Sequence, residues 1–223
     1  MNKNSNLYIF IYAAVMVIIV AFVLAFVSDT LAPTQQKNVD NDKRKQILSA
    51  LNIKSEDPEA DFAKYQVQDI IVNQEGAQIA DKGGFAVGTE EMKNGAKLPV
   101  YVANVEGETV YVLPMHGAGL WGPIWGYVGV KADKNTIIGV YFGHEGETPG
   151  LGAEITADKF KSEFPSRVLI NEKGQALNVV KLGKAEPNNN EVDGVSAATM
   201  TSVGVGNMFQ DYIGKYKNFL NNK

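Results

Sequence analysis

No cysteine occurs in the chain, and that absence removes disulfides, thiolate-held iron–sulfur clusters, a cysteine nucleophile and a lipid-modified N-terminal cysteine. Any redox work has to come from a non-sulfur cofactor. Histidine is almost absent too: His116 and His144 are the whole supply, and neither sits in a zinc-type spacing, so no protein-held metal is expected. Positive charge is also short. Lysine and arginine total 21 against 25 acidic residues, a net charge of −4, and no basic cluster interleaves with aromatics. The electrostatic footprint of nucleic-acid binding is missing, which excludes that class. There is no internal repeat or low-complexity tract, and 223 residues with 45% hydrophobic and 21% charged positions suit one folded domain.

What is present begins with a charge-free run from Leu7 to Val27, filled with Ile, Val, Ala, Phe and Leu. At about 1.5 Å per residue it spans roughly the 30 Å core of a bilayer, so residues 1–27 read as a helical anchor in membrane lipid. A cleavable signal peptide is the rival, but its apolar region runs to about 7–15 residues and ends at a small-x-small site not evident here. Residues 28–42 are polar, contain Pro33 and read as a stalk. Lys3 is the basic side chain before the span, whereas Lys37, Lys43, Arg44 and Lys45 follow it. Charge counting alone leaves the globular part in the cytoplasm.

Residues 43–223 read as an α+β unit. Lys43–Leu51 carries Ile47, Leu48 and Leu51 at helical spacing, and a second short helix is expected after the Asp57-Pro58 cap signal. Leu98–Val105 and Thr109–Leu113 flank a turn at Glu106-Gly107-Glu108 and predict a hairpin. Gly126–Lys131 and Thr136–Phe142, separated by Ala132-Asp133-Lys134-Asn135, extend it to an antiparallel meander. A helix is expected over Ala157–Phe164, capped by Thr156 and stopped by Pro165, with strands at Arg167–Ile170 and Asn178–Val180 and a surface loop over Ala185–Glu191. The strongest periodic signal is last. Val205, Met208, Phe209, Tyr212, Ile213, Tyr216, Phe219 and Leu220 form the buried face of a closing helix expected to pack on the sheet.

Directly before that helix stands Asp193-Gly194-Val195-Ser196-Ala197-Ala198-Thr199-Met200-Thr201-Ser202. Free N–H groups and the positive dipole end at a helix start favour a phosphate, and small residues let it approach. The plain alternative is an ordinary N-cap by Ser196 or Thr199. A hydrolase elbow is excluded because its second glycine and a following histidine are missing, and a P-loop because no Gly-Lys-Ser/Thr ending occurs.

The loop resembles the flavinylation motif of FMN-binding domains, in particular that of the C subunit of the sodium-pumping NADH:quinone reductase. The resemblance implies an N-terminal transmembrane helix and one FMN-binding domain with a largely antiparallel sheet flanked by helices. It further implies that FMN is esterified through its phosphate to Thr199. Ala197 stands where the family usually has glycine, and glycine reaches positive φ freely while alanine does not. Ala197 and Ala198 would keep the approach open, while the hydroxyls of Ser196, Thr201 and Ser202 would bind phosphate oxygens. Asp193 would shape the turn or help the attaching enzyme.

Two more segments fit the same family. In Gly143-His144-Glu145-Gly146-Glu147-Thr148-Pro149-Gly150-Leu151-Gly152, the Glu-Thr-Pro-Gly-Leu-Gly spelling resembles a flavin-pocket loop. It offers Glu147 and Thr148 as polar contacts and Leu151 as an apolar wall, with Gly150 also among the cofactor-binding candidates. His144 reads as a loop residue. In Gly117-Ala118-Gly119-Leu120-Trp121-Gly122-Pro123-Ile124-Trp125, the likeness favours Trp121 as the flavin's neighbour, against the plainer reading of indoles in a core. Lys181 is a candidate for positive charge near the ring, against that of a solvated lysine.

A threonine hydroxyl is a poor nucleophile without an activating base, so attachment implies a separate flavin transferase and no catalytic side chain of the chain's own. No dinucleotide fingerprint is present, so the chain by itself is not expected to oxidise NADH. The resemblance implies an electron relay working with other subunits, notably the B, D and E membrane subunits, in sodium export coupled to quinone reduction. It places the flavin domain on the outer, periplasmic face of a bacterial inner membrane, opposite to naive charge counting. Two other readings remain: the equivalent FMN-carrying member of an Rnf-type ferredoxin:NAD reductase complex, and a cofactor-free membrane-anchored assembly protein.

Overall fold

A helix of 45 residues, α1 (Asn6–Ala50), opens the chain in the computed structural model, which describes residues 6–222. Lys3, counted in the charge argument, lies outside them. The most apolar window of α1 has a mean hydropathy of 3.0 and none of it is buried, as suits a helix solvated by hydrocarbon. The segment read as a stalk is helical throughout. Pro33 lies inside α1 and removes one backbone donor, yet the helix continues, with Gln36 donating to Asp40 one turn on at 2.9 Å.

Two compact units meet inside α1, between Asp42 and Lys43. The second unit holds the remaining elements. The helix α2 (Pro58–Lys64) has Asp57 as its cap, accepting the Ala60 N–H at 3.1 Å, and proline at its start, as the sequence predicts. Next come β1 (Gln68–Val72), β2 (Gln78–Ala80) and the short α3 (Thr89–Lys93), none of them foreseen from the sequence. The meander is β3 (Leu98–Val105), β4 (Glu108–Ala118), β5 (Pro123–Val130) and β6 (Ile137–His144). These strands form one antiparallel sheet in the order β2-β1-β3-β4-β5-β6. The β3–β4 turn places Glu106 at φ 54° and Gly107 at φ 86°, the paired positive angles that match the twist of a tight hairpin.

Strand alternation sends side chains to two cores. Val100, Leu113, Met115, Val128 and Phe142 join one, while Tyr101, Ala103, Val110, Val112 and Tyr127 join the other. The second core is closed by the last turns of α1, through Ile47 and Ala50, and by Leu51 just after them. Gly129 pairs with Gly139 across β5 and β6, and a Cβ on either would come within 2.3 Å and 2.9 Å of the Ala50 carbonyl oxygen. Bare backbone at both positions is what lets the Ala50 end of α1 approach the sheet this closely. Trp125 Nε1 donates to Gln46 Oε1 at 3.1 Å, and Asn52 Nδ2 donates to the Ile138 carbonyl at 2.7 Å.

The closing helix α5 (Thr199–Asn221) covers the other face, and all eight residues of its expected apolar stripe, Val205 to Leu220, are buried. Tyr216 Oη donates to the Pro99 carbonyl at 2.7 Å, tying α5 to β3. Between β6 and α5 the sequence reading needs three corrections. The helix α4 covers Asp158–Lys161 only, and Thr156 is not its cap: a 3-10 turn, Gly152–Thr156, precedes it, and the Thr156 hydroxyl donates back to Ala153 at 2.9 Å. Arg167–Ile170 contributes isolated bridges, Thr136 to Val168 and Ile170 to Ala176, instead of a strand. The expected loop at Ala185–Glu191 contains a 3-10 turn and leads into β8 (Glu191–Asp193), which runs parallel to β7 (Asn178–Val180).

Candidate functional site

Strand β8 delivers the chain into a tight loop before α5. Asp193 Oδ1 accepts the Lys184 and Ala185 N–H groups, each at 3.0 Å, so its role is to shape the turn. Those bonds, chiefly that from Ala185, hold its carboxyl below the usual carboxylate range. Gly194 donates to the Val180 carbonyl at 2.7 Å, and a Cβ there would lie 2.5 Å from Ser202 Cβ, so only glycine allows this approach. Ala197 then adopts φ 56°, the left-handed conformation that glycine takes without cost.

Thr199 is the first residue of α5 and is half-buried. The residue in the cap position, Ala198, offers no side-chain bond to the helix start. The capping reading of Ser196 and Thr199 therefore fails, and the first turn keeps its donors for another acceptor.

That turn forms one wall of a cleft of about 250 Å³, in which Ala197, Ala198, Thr199, Met200 and Thr201 face Leu120, Trp121, Glu147, Thr148, Leu151 and Gly152. Three separate segments of the sequence thus converge, and eight predicted site residues share the cleft: Trp121, Glu147, Thr148, Leu151, Ala197, Ala198, Thr199 and Thr201. Gly150 and Ser196 lie next door, in a cavity of about 350 Å³ with Phe160, Leu182 and Val195. Lys181 is exposed and lines neither cavity. Ser202 is fully buried, and its hydroxyl donates to the Ala198 carbonyl at 2.9 Å, so the hydroxyl points inward rather than toward a ligand.

Glu147 is 5% exposed. Its Oε1 accepts the Trp121 N–H at 2.8 Å and its Oε2 accepts the Thr201 hydroxyl at 2.6 Å. Thr201 is 1% exposed, and its proton is committed to this bond. His144 has the loop role expected of it, with Nδ1 accepting the Glu147 N–H at 3.3 Å. The two indoles separate: Trp125 packs in the core closed by α1, whereas Trp121 is 68% exposed at the cleft rim. Leu120, Met200 and Gly152 line the cleft without having been singled out. The signal for the first two was chain adjacency to Trp121 and Thr199, and both are exposed apolar side chains.

The arrangement couples an uncapped helix start and an accessible hydroxyl to an apolar rim open to solvent. Its volume lies below that of pockets that engulf a small molecule, so a group held there keeps much of its surface exposed. A phosphate at the helix start with a flat ring against Trp121, Leu120 and Leu151 fits these residues, and among the described residues no acidic or histidine cluster could hold a metal.

The FMN-binding domain family matches residues 119–214, a span that takes in all three cleft segments. Over nearly the whole chain, the C subunit of the Na(+)-translocating NADH-quinone reductase of Haemophilus ducreyi is 30% identical, the match covering 96% of this chain and 91% of that one. The chain belongs to the NqrC family, the C subunits of Na(+)-translocating NADH-quinone reductases. Two crystal structures in the NqrC family share the fold. That from Parabacteroides distasonis aligns with a TM-score of 0.80 at 40% identity, covering 86% of this chain and 98% of its own. NqrC of Shewanella oneidensis aligns at 0.68 and 26% identity, covering 81% and 95%. The α+β class expected from the sequence, an apolar N-terminal helix followed by a largely antiparallel sheet flanked by helices, is the NqrC architecture.

Proposed function

We propose that this chain is the membrane-anchored flavoprotein subunit of a sodium-pumping NADH:quinone reductase, carrying FMN as a phosphoester on Thr199. Residues 1–27 serve as the anchor, 28–42 as the stalk and 43–223 as the FMN-binding domain on the periplasmic side of the inner membrane. The observation that carries the reading is the position of Thr199, which lines the cleft at an uncapped helix start together with Trp121 and Leu151.

Accessibility favours Thr199 over its neighbours. Thr201 and Ser202 are 1% and 0% exposed and bonded internally, whereas Thr199 is half-buried and lines the cleft. The Glu147 carboxylate in the same cleft accepts from the Trp121 N–H and the Thr201 hydroxyl, and a threonine hydroxyl without an activating base is a poor nucleophile, which supports loading by a flavin transferase. The first turn of α5 neutralises phosphate charge through its N–H groups and dipole. Trp121, Leu120 and Leu151 shield a flat ring on one side and leave its edge reachable. The flavin supplies one- and two-electron chemistry, while the protein supplies position and electrostatics. The partners meeting this surface are the membrane subunits of the complex, B, D and E among them.

Mass spectrometry of the peptide spanning Asp193 to Lys215, after co-expression with the transferase, tests the attachment by an added FMN mass on Thr199. An unmodified peptide from a yellow-free protein rejects it. Membranes from a deletion strain should lose sodium-stimulated NADH:quinone activity; retained activity would reject the assignment to that complex.

A further inference from the structure

Glu147 brings a carboxylate into the cleft and buries it, and a buried charge needs compensation. The compensation comes from two other segments. The Trp121 N–H belongs to a turn closed by the Gly119 N–H on the Gly122 carbonyl at 2.8 Å, and the Thr201 hydroxyl belongs to the first turn of α5. The 2.6 Å contact lies in the range of a hydroxyl bonded to an ionised carboxylate. A Cβ at Gly119 would fall 2.4 Å from Oε1, and one at Gly152 would fall 2.1 Å from Oε2. The chain thus leaves bare backbone on both sides of this carboxylate, and the residue is anchored in its own loop by its backbone N–H on His144.

We infer that Glu147 is a positioning residue: as a carboxylate it ties the Trp121 turn and the start of α5 to its own loop, setting the gap between Trp121 and Thr199. In the part that concerns the cofactor this rests on the flavin reading above, under which Glu147 also places a fixed negative charge beside the flavin. A negative charge opposes the arrival of electrons, so it holds the site's potential down. The sequence pattern offers Glu147 as a contact to the ligand, whereas the geometry assigns its oxygens to the walls.

The test uses the full chain in detergent, made with and without the transferase, as wild type, Glu147→Gln, Glu147→Ala and Thr201→Val. In the unloaded protein, Glu147→Ala should speed hydrogen exchange at the Trp121 amide by roughly tenfold or more, the loss expected for a bond to a charged group. Amides of β4–β6 serve as the control for an intact fold. Glu147→Gln, which keeps an acceptor oxygen, should recover part of the protection, and Thr201→Val should leave Trp121 protected while loosening the start of α5. In the loaded protein, Glu147→Gln should keep covalent flavin and move its midpoint potential upward. Wild-type exchange at Trp121 in Glu147→Ala, with β4–β6 intact, overturns the clamp, and an unmoved potential in Glu147→Gln overturns the electrostatic part. If Glu147→Ala does not fold, the Gln and Val variants decide by the same readings. A wild type that never acquires flavin would reject the functional reading while leaving the exchange result to judge the clamp.

Discussion

Ser202 Oγ accepts the Val195 N–H at 2.9 Å, so the loop bearing Thr199 is closed against the helix it leads into. Ser202 is fully buried, and its hydroxyl proton goes to the Ala198 carbonyl. Ser202→Ala strands the Val195 N–H and should cost about 1–3 kcal/mol. For a chain of this size that is a fall of about 2–4 °C in melting temperature per kcal/mol, measurable on the detergent-solubilised protein by circular dichroism. Flavin loading should fall with it, because the loop geometry goes too.

Ala197 at φ 56° carries conformational strain that glycine would not. Ala197→Gly should therefore stabilise the folded protein by about 0.5–1 kcal/mol, the relief being partly offset by a more flexible unfolded chain. A rise in the urea midpoint with an unchanged slope checks it; a lowered midpoint would show that this alanine is not strained.

Thr199→Ala should abolish covalent flavin and leave the fold intact, since a hydroxyl at a helix start is worth about 0.5–2 kcal/mol at most. In-gel flavin fluorescence of the denatured protein reads the first effect and the melting curve the second. Covalent flavin retained in this variant would point to Ser196, which is exposed in the same loop, and away from Thr201 and Ser202, which are buried.

His116 titrates below its ordinary value, because burial disfavours the imidazolium and Lys43 and Lys93 add repulsion. The unfolded chain, with a histidine near pH 6.5, binds the proton more readily than the folded one. The resulting stability is complete above about pH 6.5 and is lost as the pH falls toward the depressed folded value. Melting temperatures taken from pH 8 down to pH 5 should drop less for His116→Gln than for the wild type. Parallel curves would remove His116 as the source.

Most of the fold was legible where one chain segment carries its own pattern. The eight-residue stripe of α5 and the apolar runs of β3–β6, each bounded by turn residues, declare their elements without help from elsewhere. Strands β1 and β2 do not: Gln68–Val72 is short and acquires its identity by pairing with β3, a contact no local pattern announces. Thr156 misled for a related reason, since a capping residue type cannot show that a 3-10 turn already occupies its position. At the cleft, the sequence singled out the three loops that the fold brings together but not the direction of each side chain. Thr199 and Ser202 are equally good hydroxyls on paper, and only the turn of α5 sends one to the cleft and the other to the core. Glu147 reads as a ligand contact, and only the fold shows the two donors that its oxygens accept from.

The facing pair Gly129 and Gly139 leaves the sheet without upholstery where the end of α1 comes to rest on it. Side chains there would act as a compressible cushion, and the helix could rock on them. Backbone resting on backbone has no such give. A pull on the Ala50 end of α1 should therefore reach β5 and β6 together as shear, and a single methyl at either glycine should work as a wedge that loosens this joint.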